Sequence, residues 1–447
     1  MPVVAPRSIA LQTALLAAGL ASAAPHAAPH AAPHTAPRAA HAPDPVSTAP
    51  VLYESFGFAL FRDTVERGGG NIFLSPASAG LALAMAYTGA RGHTREDMAR
   101  TLGFEGLAAD TVVAANARFL ESVRDQHDVE LRIANALWAQ QGEPFAPEFI
   151  TATRRDFGAE VQMLDLGSPA ALAAINGWVA RSTNGRIPTI LAAQPDPRSV
   201  LVLTNAVYFK GTWAAKFDSA KTQSRAFTRG DGSQVQRRMM TRTGRYAVAF
   251  ARQVTVLRMP YQGDRFSLYV LLPDSGVGLG VAYRVLNPAS WDSLVSRGLP
   301  RAAMRPGAPP RGVAIDGGTR TVHVVLPRFT IRSGTRLNGA LQRLGMASAF
   351  SDAADFAGMM RPARGGDVSR TAPTGRRLAI SDVRQQTFVE VTEEGTEAAA
   401  ATSVMLAPTA VYRQPPVVEF VADRPFVAVL RDDRSGAILF IGQVADP

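Results

Sequence analysis

The order of local patterns along the chain is the feature that most constrains its fold. From residue 51 the first segments show helical spacing of apolar residues. From about residue 130 onward most segments alternate like strands or form β-branched and aromatic runs, as in VLVLTNAVYFKGTW at 200–213. Helices and strands do not alternate regularly along the chain as they do in βαβ units. This order predicts a mixed α+β domain with large antiparallel sheets.

Capping signals predict where two helices start. Ser75 precedes Pro76, a combination typical of a helix start because the first turn does not need the missing proline N–H. The mostly apolar stretch that follows predicts a helix buried on all sides. Thr94 is the predicted N-cap of the next helix, since acidic residues follow it in the first turn.

The composition excludes several kinds of site. The 447 residues include no cysteine, so the chain has no disulfide, no thiol nucleophile and no cysteine-ligated metal. Motifs of nucleotide-binding loops, nucleophile elbows and zinc proteases are absent, and His93, His127 and His323 are scattered as surface or core histidines usually are. A Ser/His/Asp triad stays open, because its members lie far apart along a chain. The prediction is a protein that is not an enzyme and holds no cofactor or metal.

The first 50 residues have the pattern of an export signal followed by a spacer. Arg7, the apolar core SIALQTALLAAGL and small residues ending at Ala23 predict a signal peptide over residues 1–23, with a buried helix as the alternative. Residues 24–50 are rich in Ala, Pro and His and predict a disordered spacer. Metal binding is the alternative for its histidines, which are His26, His30, His34 and His41. The folded domain is predicted over residues 51–447, in a bacterial protein exported to the periplasm or the extracellular space.

The stretch EEGTEAAAAT at 393–402 fits two different structures. As a helix it forms easily, because alanine has the highest helix propensity and Thr396 could cap it. It follows LAISDVRQQTFVEV, which alternates like a strand, and it precedes a segment broken by prolines. Local propensity therefore leaves helix and strand open here.

Many segments of the chain, in a fixed order, resemble the serpins, a family of serine-protease inhibitors. They include NIFLSPASAGLALAMAYTGARGHTREDM, INGWVARSTNGRIPTIL, LTNAVYFKGTW, LPRFTI, ISDVRQQTFVEVTEEGTEAAAAT and FVADRPFVAVLRDDRSGAILFIGQVADP. The resemblance runs from about residue 51 to the end of the chain. It implies a serpin fold with three β-sheets, eight or nine helices and an exposed reactive loop near the C-terminus. It also implies a monomeric inhibitor of bacterial type that forms a covalent 1:1 complex with a serine protease.

The resemblance assigns residues to the opening of the central sheet. Ser75, Ser78 and Asn205 match the shutter of the family, and Trp213 matches the tryptophan of the breach at the top of that sheet. Family members often have a histidine where this chain has Gln385. A glutamine donates and accepts hydrogen bonds in a buried cluster but cannot become charged, so we expect no proton-controlled shutter.

The resemblance also gives the alanine-rich stretch a role. In inhibitory serpins the target protease cuts the reactive loop, which then inserts as a new middle strand of the central sheet. Side chains of an inserted strand alternate between its two faces. One face would carry Thr396, Ala398, Ala400, Thr402, Val404 and Leu406, and the only charge, Glu397, falls on the other face. The pattern therefore suits a strand that enters a sheet.

The hinge of this loop is assigned to Glu393, Gly395, Thr396, Glu397, Ala398, Ala399, Ala400 and Ala401. Gly395 allows a positive φ, and alanines enter a narrow gap at low steric cost. No proline interrupts before Pro408, so every N–H through Ala407 can join a ladder. The alternative is a stable surface helix in a non-inhibitory carrier or chaperone. Such members tend to have charged, bulky or proline residues in the hinge, so the sequence favours inhibition.

Counting along the loop predicts the bond that is cut. In members with a loop of standard length this bond lies 16 residues beyond the first glutamate of EEGT, which gives Thr409–Ala410. A small or β-branched residue after Ala-Pro suits an elastase-like or subtilisin-like target. The segment that follows is longer than in many relatives. Bonds after Leu406, Tyr412 or Arg413 therefore stay open.

Two arginine-rich segments carry most of the net charge of +10. Residues 297–320 and 361–377 each contain five arginines and one aspartate. Some serpins bind polyanions through a basic surface, commonly along an early helix, but the corresponding helix here, NARFLESVRDQH, is not basic. A polyanion is a candidate partner of the two segments, with solvated loops as the alternative. No nucleic-acid partner is expected.

Overall fold

A computed structural model describes residues 53–124, 126–298, 316–361, 378–395 and 416–447. Its helices are α1 (Glu54–Arg67), α2 (Pro76–Gly89), α3 (Gly92–Leu102), α4 (Ala109–Val123), α5 (Pro147–Phe157), α6 (Pro169–Ser182), α7 (Gly280–Val285), α8 (Pro288–Gly298) and the short α9 (Asn338–Leu341). None of the helices in these ranges is both long and apolar enough to span a membrane.

The first eight strands are β1 (Ile72–Leu74), β2 (Val129–Gln140), β3 (Glu160–Leu164), β4 (Leu201–Gly211), β5 (Gln223–Thr228), β6 (Gln234–Ala251), β7 (Val254–Pro260) and β8 (Phe266–Pro273). The remaining strands are β9 (Asp316–Pro327), β10 (Phe329–Arg336), β11 (Ile380–Val391), β12 (Val418–Val421), β13 (Phe426–Asp432) and β14 (Ile438–Val444). The sequence of residues 297–320 is typical of an irregular loop, but β9 begins at Asp316, so the end of this segment is a strand.

The central sheet has five strands in the order β10–β11–β4–β2–β3. β4 lies in the middle and is buried along almost its whole length, which explains its nearly continuous apolar sequence. Antiparallel pairing joins β10 to β11 and β4 to β2, as the sequence predicts. Two pairs are instead parallel, β11 with β4 and β2 with β3. The parallel pair β11–β4 forms the centre of the candidate site.

Helices cover the central sheet on both faces. On one face α6 packs through Ile175, Trp178 and Val179 in a buried cluster with Trp138 of β2 and Phe388 of β11. On the other face α2 contacts β4 and β2. Both faces are therefore dry, so a polar side chain on β4 or β11 must find its partners inside the protein.

The other strands form one hydrogen-bonded path, β1–β14–β13–β8–β7–β6–β9–β12, with β5 paired to β6. β6 has 18 residues. It pairs with β5 near its start, with β7 near its end, and with β9 along most of its length. One long strand therefore connects the two smaller sheets that the serpin resemblance implies.

The two capping predictions have different outcomes. α2 starts at Pro76 with Ser75 as its N-cap, as predicted, and all of its residues but one are buried. α3 begins two residues before Thr94, so the prediction of Thr94 as a cap is wrong. The Thr94 hydroxyl is buried and accepts a hydrogen bond from the Asp355 N–H at 2.9 Å. This tertiary hydrogen bond uses the oxygen that a cap would need.

Glu54, the first residue of α1, is a buried ionisable residue. Glu54 is 7% exposed, and its Oε2 has no hydrogen-bond partner. Burial raises the pKa of Glu54 from 4.5 to about 7; the charge of Asp292 raises it further, and Arg431 lowers it. Because the pKa of Glu54 is higher in the folded state than in the unfolded state, ionisation of Glu54 opposes folding. This opposition grows as the pH rises from about 4.5 to about 7.

We expect Glu54→Gln to stabilise the protein at pH 8 by about 3 kcal/mol and at pH 5 by less than about 1 kcal/mol, since the shift converts at 1.36 kcal/mol per pH unit. The thermal unfolding midpoint, measured at both pH values, should rise by a few degrees at pH 8 and by clearly less at pH 5. Glu66→Gln, on the exposed side of the same helix, is the control. An equal gain at both pH values would contradict the assignment.

Candidate functional site

A row of amide side chains crosses the three middle strands of the central sheet. The register places Gln385 of β11 beside Asn205 of β4, and Asn205 beside Asn135 of β2. Gln385 Nε2 donates to Asn205 Oδ1 at 2.7 Å, and Asn205 Nδ2 donates to Asn135 Oδ1 at 2.6 Å. All three residues are buried. The row therefore links β11, β4 and β2 by side chains in addition to their backbone ladders.

The amide row is also bonded to the start of α2. Gln385 Nε2 donates to the Ser75 carbonyl at 2.9 Å, and the Ser75 N–H donates to Gln385 Oε1 at 2.8 Å. Asn205 Nδ2 donates to the Ser78 carbonyl at 3.2 Å and contacts the Ser78 hydroxyl. The structure thus brings together Ser75, Ser78, Asn205 and Gln385, which the sequence assigns to the shutter. Their role in sheet opening stays a prediction.

Two members of this cluster were missed by the sequence reasoning. Asn135 is a polar residue within the apolar strand sequence ANALWAQ, which was a signal that could have found it. Thr387, two residues after Gln385, donates its hydroxyl proton to the Phe73 carbonyl at 3.1 Å. Thr387 is fully buried. The side chains of this cluster are amides and hydroxyls, which do not titrate at physiological pH. The absence of a proton-controlled shutter stays a prediction.

The parallel ladder between β11 and β4 ends before β11 does. Paired residues run from Ile380 and Leu201 up to Phe388 and Tyr208. Residues 389–391 of β11 stay paired with β10. The two strands are therefore hydrogen-bonded as far as Phe388 and diverge after it. We call the boundary between β11 and β4 the gap, and its end beyond Phe388 the open end.

The chain leaves β11 at the open end of the gap, and Trp213 holds it there. Trp213 is 3% exposed, and its ring is stacked on Tyr261 with centroids 4.3 Å apart. The Trp213 indole N–H donates to the Thr392 carbonyl, and its backbone N–H donates to the Glu394 carbonyl, both at 2.9 Å. Trp213 therefore fixes the turn after β11 by two hydrogen bonds, and its role as the breach tryptophan stays a prediction.

Two glutamates fasten the same turn. Glu393 is buried and accepts a hydrogen bond from the Thr222 hydroxyl at 2.7 Å, and its other oxygen lies 3.4 Å from Arg328 Nε. Glu394 forms an ion pair with Lys216 at 2.7 Å. Sequence reasoning placed Glu393 in the hinge but could not find these partners, because they lie far from it along the chain.

Gly395 is the last residue before the loop and is confined by its neighbours. It forms a bridge with Thr212, which follows β4, and its φ is +108°. A Cβ at this position would lie 2.3 Å from the Gly211 carbonyl oxygen and 2.5 Å from the Trp213 nitrogen. The positive φ and the close contacts both require glycine at this position. The role of Gly395 as a hinge stays a prediction.

The remaining loop residues lie outside the described ranges. They are the hinge residues Thr396, Glu397, Ala398, Ala399, Ala400 and Ala401, the predicted bond Thr409–Ala410, and the alternatives Leu406, Tyr412 and Arg413. Most of both arginine-rich segments also lies outside these ranges. The next described range starts at residue 416, shortly before β12, and β12 pairs in parallel with β9.

Two of the histidines in the described ranges, His93 and His323, contact neighbouring acidic or hydroxyl side chains. His323 Nδ1 lies 2.7 Å from Glu419 Oε2, and its Nε2 lies 2.9 Å from the Thr241 hydroxyl. His93 lies near Glu96 and Asp97 on α3. The part of the chain that the structure describes contains no group of three or more His, Asp or Glu side chains suited to a metal ion.

Comparisons with known proteins place this geometry in a family. A family model described as "Serpin (serine protease inhibitor)" matches residues 52–447. The leukocyte elastase inhibitor of Sus scrofa is 34% identical over 403 residues, which cover 88% of this chain and 97% of that protein. A serpin-like protein of Thermococcus kodakarensis is 32% identical over 406 residues, covering 88% of this chain and 84% of its own.

Solved structures agree with the sequence comparisons. The native state of the thermophilic serpin tengpin has a TM-score of 0.73 at 26% identity, over 88% of this chain and 93% of that one. Protease nexin-1, solved with heparin, has a TM-score of 0.73 at 25% identity, over 90% of this chain and 100% of that one. The predicted fold class is therefore confirmed.

Proposed function

Since the chain belongs to the serpin family of protease inhibitors, we propose that it is an irreversible suicide-substrate inhibitor of serine endopeptidases. The observation that carries the proposal is the gap. β11 and β4 pair in parallel up to Phe388 and Tyr208, and the loop departs from its open end at Gly395. A cut loop that folds back from Gly395 would run antiparallel to both strands and can form a ladder with each of them.

The chemistry of the proposed reaction begins as ordinary proteolysis. The serine oxygen of the target attacks the carbonyl carbon of Thr409, the bond to the Ala410 nitrogen breaks, and the nitrogen leaves with a proton as a new amino terminus. Thr409 is then joined to the protease serine as an ester. Hydrolysis of this ester by water would release active protease. Inhibition requires that insertion be faster than that hydrolysis.

Insertion supplies the trapping step. The segment from Thr396 to Leu406 has 11 residues, and as a strand it spans roughly 36 Å at ~3.3 Å per residue. A protease attached beyond it is carried about that far along the sheet and pressed against the opposite end. Distortion of its catalytic site then leaves the ester intact. The new strand also separates Gln385 from Asn205, so the amide row must open during the reaction.

The proposed target is an elastase-like or subtilisin-like protease. Thr409 would occupy the primary specificity pocket, and a small β-branched side chain fits a shallow pocket of that kind. The name of the related pig protein, leukocyte elastase inhibitor, supports this choice without deciding it. The alternative bonds, after Leu406, Tyr412 or Arg413, would favour chymotrypsin-like or trypsin-like targets.

The proposed setting is outside the cell or in the periplasm, reached through the signal peptide at residues 1–23. The relatives compared come from eukaryotes and an archaeon, so bacterial origin remains a proposal based on the absence of cysteine in an exported chain. A polyanion is proposed as a weak partner of the two arginine-rich segments. The structure of protease nexin-1 with heparin supports this proposal.

The test is incubation with a panel of serine proteases, followed by denaturing electrophoresis and mass spectrometry. We expect an SDS-resistant 1:1 complex with an elastase-like or subtilisin-like enzyme, and a released fragment that begins at Ala410. Thyroxine-binding globulin, solved with thyroxine, has the same fold with a TM-score of 0.75 at 24% identity. Cleavage by every protease without any complex would therefore indicate a non-inhibitory carrier-like member.

Replacing Thr409 by Arg should move inhibition toward trypsin-like proteases by at least about tenfold in association rate, because a primary pocket that binds a cation discriminates by more than ~1.4 kcal/mol. Association rates with trypsin and with elastase measure the change. The matched control is Val411→Arg, which introduces the same side chain two residues beyond the predicted position. If only the Val411 variant gains trypsin inhibition, the cut site is not Thr409–Ala410.

A further inference from the structure

The turn that follows α6 lies over the gap and has a fixed shape. We call residues 183–187 the strap. The Thr183 hydroxyl is buried; it donates to the Val179 carbonyl at 2.7 Å and accepts the Ile187 N–H at 3.1 Å. Ile187 is buried in the same cluster as Phe388 and Tyr208. The two ends of the strap are therefore anchored, one on α6 and one on the sheet.

One contact of the strap is on β11. The guanidinium carbon of Arg186 lies 6.0 Å from the ring centroid of Phe388, and that of Arg332 lies 4.9 Å from the same ring. Arg332 belongs to β10 and sits opposite Phe388 in the register. Phe388 is 1% exposed. A cation close to an aromatic ring is attracted to it, most strongly where water is excluded.

The other contact of the strap is on the far side of the gap. Asn184 Nδ2 donates to Glu130 Oε1 at 2.9 Å. The same oxygen accepts a hydrogen bond from Arg132 Nε at 2.6 Å, and both residues belong to β2. Arg132 is opposite Tyr208 of β4 in the register. The strap thus holds β11 through Arg186 and the β4–β2 side through Asn184.

The strap crosses the gap at the last closed pair of the ladder. Phe388 and Tyr208 are that pair, and their ring centroids are 6.0 Å apart. A strand inserted between β11 and β4 must separate them by a further ~4.8 Å, the spacing of neighbouring strands. The contacts of Arg186 and Asn184 lie on opposite sides of the gap, so they cannot both survive this displacement. At least one of them must break before the loop can enter beyond Phe388.

We infer that the strap holds the gap closed, and that the contacts of Arg186 and Asn184 set the fraction of protease encounters that end in trapping. The inference rests on the proposed function, because the fraction has a meaning only if a cut loop inserts. Weakening the strap speeds opening, while the rate of ester hydrolysis is a property of the protease. A weaker strap therefore yields more trapped protease per inhibitor consumed.

The test uses the full chain with Arg186→Gln, and with Phe388→Leu as a second variant that keeps an apolar side chain but removes the ring. Arg181→Gln is the matched control, since Arg181 is an exposed arginine in the last turn of α6. Hydrogen exchange is followed in the segment 380–388 without any protease. We expect Arg186→Gln to exchange about two- to fivefold faster, as for loss of one cation–π contact. Phe388→Leu should exchange at least as fast as Arg186→Gln, because the ring also contacts Arg332, and the control should match the parent protein.

Two outcomes of the exchange experiment would overturn the inference: unchanged exchange in both variants, or equal acceleration in the Arg181 control. Faster exchange in a chain that forms no complex with any protease would support the strap and reject the inhibitor proposal, so the two failures are distinguishable. With a protease that is inhibited, Arg186→Gln should lower the number of inhibitor molecules consumed per trapped protease. A rise in that number would also overturn the inference.

Discussion

Cleavage of the loop near Thr409 is expected to raise the temperature of thermal unfolding by tens of degrees. In the intact chain β11 and β4 share one short parallel ladder. After cleavage the freed segment can form antiparallel ladders with both strands and bury one face, which carries Thr396, Ala398, Ala400, Thr402, Val404 and Leu406. The intact form is then a kinetically trapped state that cannot reach the more stable sheet while its loop is uncut.

Circular dichroism during heating of intact and cleaved protein measures this difference. A protease that cuts the loop but is not trapped supplies the cleaved form. The matched control is a single cut within residues 24–50, the predicted spacer, which frees no segment for the sheet. The control should leave the unfolding temperature unchanged. Equal unfolding temperatures for intact and loop-cleaved protein would reject insertion for this chain.

Thr396→Arg is expected to turn the proposed inhibitor into a substrate. Under the proposed insertion, Thr396 is the first residue expected to enter the gap, and it lies on the face that is predicted to be buried. An unpaired charge on that face costs at least several kcal/mol, roughly a hundredfold or more in the rate of insertion if the cost is felt in the transition state. Hydrolysis of the ester is then faster than insertion of the loop. The variant should be cut at the same bond but should release active protease without an SDS-resistant complex.

Glu397→Arg is the matched control for this experiment, because the neighbouring side chain points to the other face of the inserted strand. It carries the same new charge one residue further along and should keep its inhibitory activity. Complex yield and recovered protease activity measure both variants. Full inhibition by Thr396→Arg, or equal loss in both variants, would contradict the predicted alternation of the loop.

Local sequence patterns were sufficient where the structure depends on local physics. The buried α2 and the start of that helix after Ser75 follow from the apolar run and the Ser–Pro pair. The strand sequence of β4 follows from burial on both faces. Thr94 shows the limit, because a hydroxyl that reads as a cap is instead bonded to Asp355, 261 residues away along the chain.

The candidate site was only partly predictable for the same reason. The resemblance brought together Ser75, Ser78, Asn205 and Gln385, but Asn135 joins them only through the register of β2 on β4. Thr222 reaches Glu393 across 171 residues. The parallel pairing of β11 with β4 was not expected either, since it joins strands separated by a long stretch of chain. Hydrophobic periodicity predicts which face of a strand is buried, but it does not predict which strand lies beside it.

The open end of the gap has a consequence for solutions of this protein at high concentration. If the gap accepts a strand by its backbone, it cannot distinguish the chain's own loop from the identical loop of a second molecule. The tethered loop competes at an effective concentration of about the millimolar range, typical of short linkers, and is favoured only if it can reach the gap uncut. A neighbour's loop has no such restriction, and each head-to-tail insertion leaves another gap free. Under the proposed insertion mechanism, the storage concentration therefore sets how long the protein remains a population of single molecules.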